Sequence, residues 1–171
     1  NLRTAGMEVG SGYMTGLPGE SADTRIKNAL LCRDLELDMV GVGPFIPNPD
    51  TPLGRASQED LELAVRATAL LRLLLPRANI PATTAAGSLD PSGREQMLAA
   101  GANVLMPNIS PVEHKKDYAL YPGKICLDES GFDCMSCLSL RVKTIGQELD
   151  LSRGDSPAFR LRHSQIEEAN A

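Results

Sequence analysis

The polar and apolar positions alternate along the chain in a way that predicts short strands separated by helices. Met7 to Tyr13 reads as a strand, closed by a turn at Leu17-Pro18-Gly19-Glu20-Ser21 in which Ser21 is a cap candidate. The spacing predicts a helix over 22–35 with Ile26, Leu30 and Leu31 facing the core, then a second strand over 38–42. Ser57 is expected to cap a helix running to about Leu75, with Asp60 completing an imperfect capping box. A third strand is expected over 79–84, a helix over 93–100, a fourth strand over 102–106 and a helix over 134–149, with an irregular stretch at 107–125 between the last two.

Short apolar strands joined through helices imply parallel pairing by right-handed crossovers. Four such units amount to half of an eight-stranded β/α barrel, and an open doubly wound sheet is the alternative. No Gly-x-Gly-x-x-Gly opens a helix, because the glycines of "GSGYMTG" sit inside the predicted strand. In both architectures ligands lie beyond the carboxyl ends of the strands. That gives meaning to "DMVGVGPFIPNPDTPL", where a buried strand runs into Pro44, Pro47, Pro49 and Pro52. These prolines forbid helix and sheet and pre-form a stiff wall at the end where a site belongs. A stiff surface loop without a ligand is the plainer reading.

Composition narrows the function without naming it. The 171 residues are 42% hydrophobic and 23% charged, a globular balance, and a net charge of −5 disfavours nucleic acid or an anionic membrane as partner. The most apolar run, Ala67 to Leu75, is interrupted by Arg72 and stopped by Pro76, too short to span a bilayer. The sequence opens on Asn1 and reads as part of a longer, cytoplasmic protein without an export signal, so its four cysteines are expected as ligands or free thiols.

Three of them, Cys126, Cys134 and Cys137, stand as C-x7-C-x2-C in "CLDESGFDCMSC". Two thiolates separated by two residues can address one metal from a helical turn, and a third upstream closes a loop around it. An iron–sulfur cluster, zinc and unligated thiols are all open on spacing alone. Cys32, among leucines, reads as a packed thiol. Thr83 and Thr84 in "PATTA" could bind a polar ligand or cap the next turn. Met106 could offer a thioether to a ligand or pack in the core, with Asn108 beside it. Tyr118 and Tyr121 could line a pocket or cover a rim. His114 and His163 have no partners that would make either catalytic.

Taken together, "GSGYMTGLPGES", "DMVGVGPFIPNPDTPL", "IPATTAAGSLDPSGRE", "GANVLMPNISP" and "YALYPGKICLDESGFDCMSC" resemble the carboxy-terminal half of the HydE family, over about residues 1–150. These are radical S-adenosylmethionine (SAM) maturases of [FeFe]-hydrogenase, related to biotin synthase and methylornithine synthase. The resemblance implies an α/β fold: the second half of a (β/α)8 barrel of the TIM type over 1–125, an accessory-cluster segment and helix over 126–150, and a tail over 151–171. It implies reductive SAM cleavage to a 5′-deoxyadenosyl radical acting on an iron–cysteine–carbonyl–cyanide precursor of the diiron site. The C-x3-C-x2-C loop for the SAM-cleaving [4Fe-4S] cluster is not among these residues, so the 171 residues alone are expected to be inactive. Other hydrogenase maturation proteins are implied as partners, and neither nucleic acid nor membrane.

By position, Met39, Tyr118 and Leu120 match family residues at the cofactor, and Thr83, Thr84 and Met106 match residues at the substrate cavity. Cys126, Cys134 and Cys137 match ligands of an accessory [2Fe-2S] or [4Fe-4S] cluster found in some members. Asn48 stands where the family has His in "PFIPHPDTP", and Glu20-Ser21 where Gln-Thr is usual. A biotin synthase-like or methylornithine synthase-like enzyme, or a non-catalytic iron–sulfur module, are the alternatives.

Overall fold

A computed structural model describes residues 2–169. Strand β1 (Gly10–Thr15) and strand β2 (Met39–Pro44) pair in parallel, with Gly12 opposite Gly41 and Met14 opposite Gly43. Helix α1 (Ala22–Asp34) makes the crossover between them. Ser21 caps it as the sequence suggested, its hydroxyl accepting from Thr24 N at 3.1 Å.

The core face of α1 is not the leucine face. Ile26 and Leu31 are about half exposed, whereas Ala29 and Cys32 are buried. Small side chains let the helix lie close on the strands, so the packed stripe runs through Ala29 and Cys32. Cys32 is the packed thiol expected.

Helix α2 (Glu62–Leu74) starts four residues later than the Ser57 cap implied, with no side-chain cap at Leu61. Gln58 donates to Phe45 O at 2.7 Å and Asp60 accepts from Glu62 N at 3.0 Å, which keeps 57–60 in the loop. Helix α3 (Thr84–Leu89) and helix α4 (Gly93–Ala99) follow, and Gly93 permits their close approach: a Cβ there would fall 2.1 Å from Ala86 O.

The expected third and fourth strands shrink to single parallel bridges, Met39 with Asn79 and Pro81 with Val104. Pro81 has no N–H to donate to a ladder, and Thr83 has left the strand direction to cap α3. Some backbone bonding still runs across, from Val40 N to Asn79 O at 2.8 Å and from Ala82 N to Val104 O at 2.9 Å. Val40, Val42 and Ile80 are fully buried with Leu71 and Met97 beneath the helices.

The stretch at 107–125 holds a short helix α5 (Val112–Lys115) and a 3-10 turn (Lys116–Tyr118). Helix α6 (Gly131–Thr144) begins ahead of the expected Cys134, fixed by a capping box between Ser130 and Asp133. Residues read as a tail form helix α7 (Pro157–Ala169), docked beneath the amino ends of the strands. Fully buried Asp38 accepts from Val9 N at 2.8 Å and from Arg162 at 2.5 Å, and Ser156 N donates to Glu8 at 2.6 Å. The side chains of 166–169 lie outside those described. Among the described residues no helix is long and apolar enough to cross a membrane.

Candidate functional site

The two faces of the β1–β2 pair differ in chemistry. Val40, Val42 and Pro44 point under the helices, and Met39, Gly41 and Gly43 occupy the other, half-open face. Beside them on β1 lie Gly10, Gly12 and the half-exposed Met14. This face is nearly bare backbone. A Cβ on Gly41 would meet nothing within 4 Å, and one on Gly43 would come 3.0 Å from Thr83 Oγ1. A flat surface of this kind admits a ligand close to the main chain. Sequence reasoning missed Met14, although the alternation Gly10-x-Gly12-x-Met14 carried the signal.

Thr83 stands at the carboxyl end of this face. Its hydroxyl accepts from Ala86 N at 3.4 Å and reaches Met97 Sδ at 3.9 Å, so capping occupies it. Thr84 differs. Its Oγ1 accepts from Arg94 at 3.1 Å, which leaves its own proton free to donate.

The proline loop closes the same end. Phe45 N donates to Thr15 O at 2.8 Å, and Asn48 folds the loop by accepting from Asp50 N at 3.0 Å. Asn48 Nδ2 donates to Leu120 O at 2.9 Å, tying the loop to the Tyr118–Tyr121 segment. Glu20 secures the turn after β1, accepting from Gly16 N at 2.8 Å and Arg25 at 3.0 Å.

Thr83, Thr84, Tyr118 and Leu120 therefore belong to linked elements at one end. Met106, Tyr118 and Leu120 are all more than half exposed. Met39 is not brought there. It pairs with Gly10 at the amino ends of the strands, about 16 Å along β2 from Pro44 at roughly 3.3 Å per residue.

The cysteines lie on the flank. Cys134 falls on the buried stripe of α6 with Leu138 and Val142, and Cys137, one turn on, is exposed. Cys126 is half-buried, with its carbonyl accepting from Asn108 Nδ2 at 3.2 Å and its backbone at φ +66°, a left-handed conformation rare for a side-chain-bearing residue. Burial, then Glu129, push its thiol up to about 11 against the opposing charge of Arg94, and Cys134 lies near enough to add to the rise. Arg141, held to Glu95 by two bonds of 2.6 Å, sits near Cys126 and Cys137. Buried Lys115 donates to Glu129 O at 2.5 Å and holds the cysteine loop in shape.

All four cysteines are free thiols, and among the described residues no three His, Cys, Asp or Glu side chains share metal-ligating geometry. The donor chemistry nevertheless suits a thiophilic metal. Two neighbouring thiols, a third one helical turn away, and a buried guanidinium with an unpartnered Nε at Arg94 make a place where an anionic thiolate set would be compensated. The bare glycine face likewise suits a flat nucleoside.

Residues 42–123 match the Biotin and Thiamin Synthesis associated domain. The [FeFe] hydrogenase maturase subunit HydE of Thermotoga maritima is 46% identical over 147 residues, covering 86% of this chain and 42% of that protein. A biotin synthase of Gloeothece citriformis is 40% identical over 77 residues, 45% of this chain and 21% of that enzyme. Among solved structures, methylornithine synthase (PylB) superposes with a TM-score of 0.66 at 24% identity, over 86% of this chain and 42% of that one, a likeness of fold. The chain spans less than half the length of each of these relatives.

Proposed function

The chain is a HydE-like radical SAM sequence, and from that premise we propose that the protein it helps build is a hydrogenase maturase that cleaves SAM reductively. The reading includes four parallel staves of a (β/α)8 barrel, β1, β2, 79–82 and 102–106, contributed by this chain. The 46% identity over 86% of the chain to a maturase subunit is the observation that carries it. The substrate is an iron–cysteine–carbonyl–cyanide precursor, and the site of action is cytoplasmic.

When bound, SAM and its [4Fe-4S] cluster supply the 5′-deoxyadenosyl radical. The cluster's ligands are expected outside these residues. This chain's part is to bind and enclose. Gly41 and Gly43 admit the nucleoside to the main chain, and Thr84 offers a free hydroxyl proton to an acceptor on the substrate. Met39 lines the inner face lower down. Met106, Tyr118 and Leu120, with the proline loop, wall the mouth against water, which would otherwise quench a reactive intermediate.

In the full-length protein, anaerobic reconstitution and reduction with dithionite are expected to yield 5′-deoxyadenosine from SAM. No 5′-deoxyadenosine would sink the reading, and turnover of dethiobiotin would replace the maturase with a biotin synthase-like enzyme. Cys126, Cys134 and Cys137 are proposed as ligands of a separate accessory cluster. Replacing Cys134 and Cys137 together by Ser is expected to remove that iron and leave SAM cleavage in place. Unchanged iron content would refute the ligand assignment.

A further inference from the structure

Arg94 is 5% exposed, at the start of α4, and none of the ion pairs among the described residues includes it. Its neighbour Glu95 is engaged by Arg141 instead. The guanidinium's contacts are Thr84 Oγ1 at 3.1 Å and Cys126 Sγ at 3.9 Å, both from Nη2, while Nε has no partner. A buried guanidinium whose nearest carboxylate, Glu95, is already bonded to another arginine is costly and persists where something compensates it. The Cys126 sulfur, 3.9 Å from Nη2, is the ligand atom placed to meet that cation when a bound metal has displaced the thiol proton.

Cys126 is over-determined in the same sense. Its left-handed backbone is strained, a state found where surrounding contacts fix a functional geometry. Asn108 holds its carbonyl, Ser88 Oγ accepts from N of the preceding residue Ile125 at 3.2 Å, and Arg94 holds its sulfur.

We infer that Arg94 is the positioning residue of the three-cysteine site: one guanidinium nitrogen donates to Cys126 Sγ and to Thr84, balancing thiolate charge and locking the metal-binding segment to the threonine end of the sheet. This rests on the reading that Cys126, Cys134 and Cys137 bind a metal. Residues that donate hydrogen bonds to ligands from behind typically contribute 10–100-fold to metal affinity.

Cobalt(II), titrated anaerobically into the full-length protein and read by its thiolate charge-transfer absorption, tests the inference. Other metal sites are accounted for by a Cys134→Ser/Cys137→Ser control. Arg94→Gln is expected to weaken the cysteine-dependent binding about 10–100-fold, and Arg94→Lys, which keeps the charge, less. In a Cys126→Ser background Arg94→Gln is expected to add nothing. Thr84→Val is expected to change cobalt affinity slightly, since it removes the anchor and not the sulfur contact. Equal affinity in wild type and Arg94→Gln, or the same loss with Cys126 already replaced, overturns the role of Arg94. Should Arg94→Gln fail to fold, Arg94→Lys decides: wild-type affinity and an unshifted charge-transfer band overturn the inference. Absence of the cysteine-dependent band in the wild type overturns the metal reading itself and the inference with it.

Discussion

Asp38→Ala is expected to lower the unfolding free energy by roughly 2–4 kcal/mol, measured by urea denaturation. Asp38 is fully buried between β1, β2 and α7, and its two oxygens serve two partners, Val9 N and Arg162. Alanine leaves a partly buried N–H and a cation unpaired at once. The loss falls below that of a fully buried pair because the Arg162 side chain is 31% exposed and water can screen it. The same change should release α7, seen as faster amide exchange over 157–163 than over β2. An unchanged urea midpoint would mean that α7 is held by Ser156, Glu8 and Phe159 alone.

The start of α7 is written locally in the sequence. "DSPAF" carries a Ser cap followed by Pro at the first helical position, and Phe159 N does donate to Ser156 Oγ at 3.1 Å. Ser130 and Asp133 were an equally local signal for the start of α6. The misplaced start of α2 has another origin. Ser57 has the right side chain, but Gln58 is claimed by Phe45, a partner distant in sequence. Hydrophobic period located β1, α1 and β2 within a few residues and implied their parallel pairing. It named the wrong face of α1 because it weights Ile26 and Leu31 over Ala29 and Cys32, whose small size is what close packing uses.

For the site, the sequence indicated the end of the sheet better than the contacts. The proline loop and Thr83 and Thr84 do share the carboxyl end, as parallel topology requires. Met39, placed with the cofactor by resemblance, stands at the start of β2, and position within the strand was the clue to its depth. Arg94 could not be read at all. It meets Thr84 and Cys126 only after α3, α4 and the cysteine segment fold together, and in sequence it looks like a surface charge on a short helix.

In the full-length protein, on the reading proposed above, Gly41→Leu is expected to lower SAM cleavage by on the order of 100-fold or more while the fold stays intact. The new Cβ would meet nothing within 4 Å, so the side chain projects over the half-open face and fills the space assigned to the nucleoside. Stability should change by less than about 1 kcal/mol, because the lost backbone freedom of glycine in the unfolded chain offsets the exposed leucine. Gly12→Leu is the contrasting variant. Its Cβ would lie 2.0 Å from Gly41 O, so it should lower the melting temperature as well as activity. The two residues are neighbours on the same pair of strands, which makes the comparison a test of the face and not of glycine content. Full activity in Gly41→Leu would place the cofactor elsewhere, and a large loss of stability would show that this face is packed against protein.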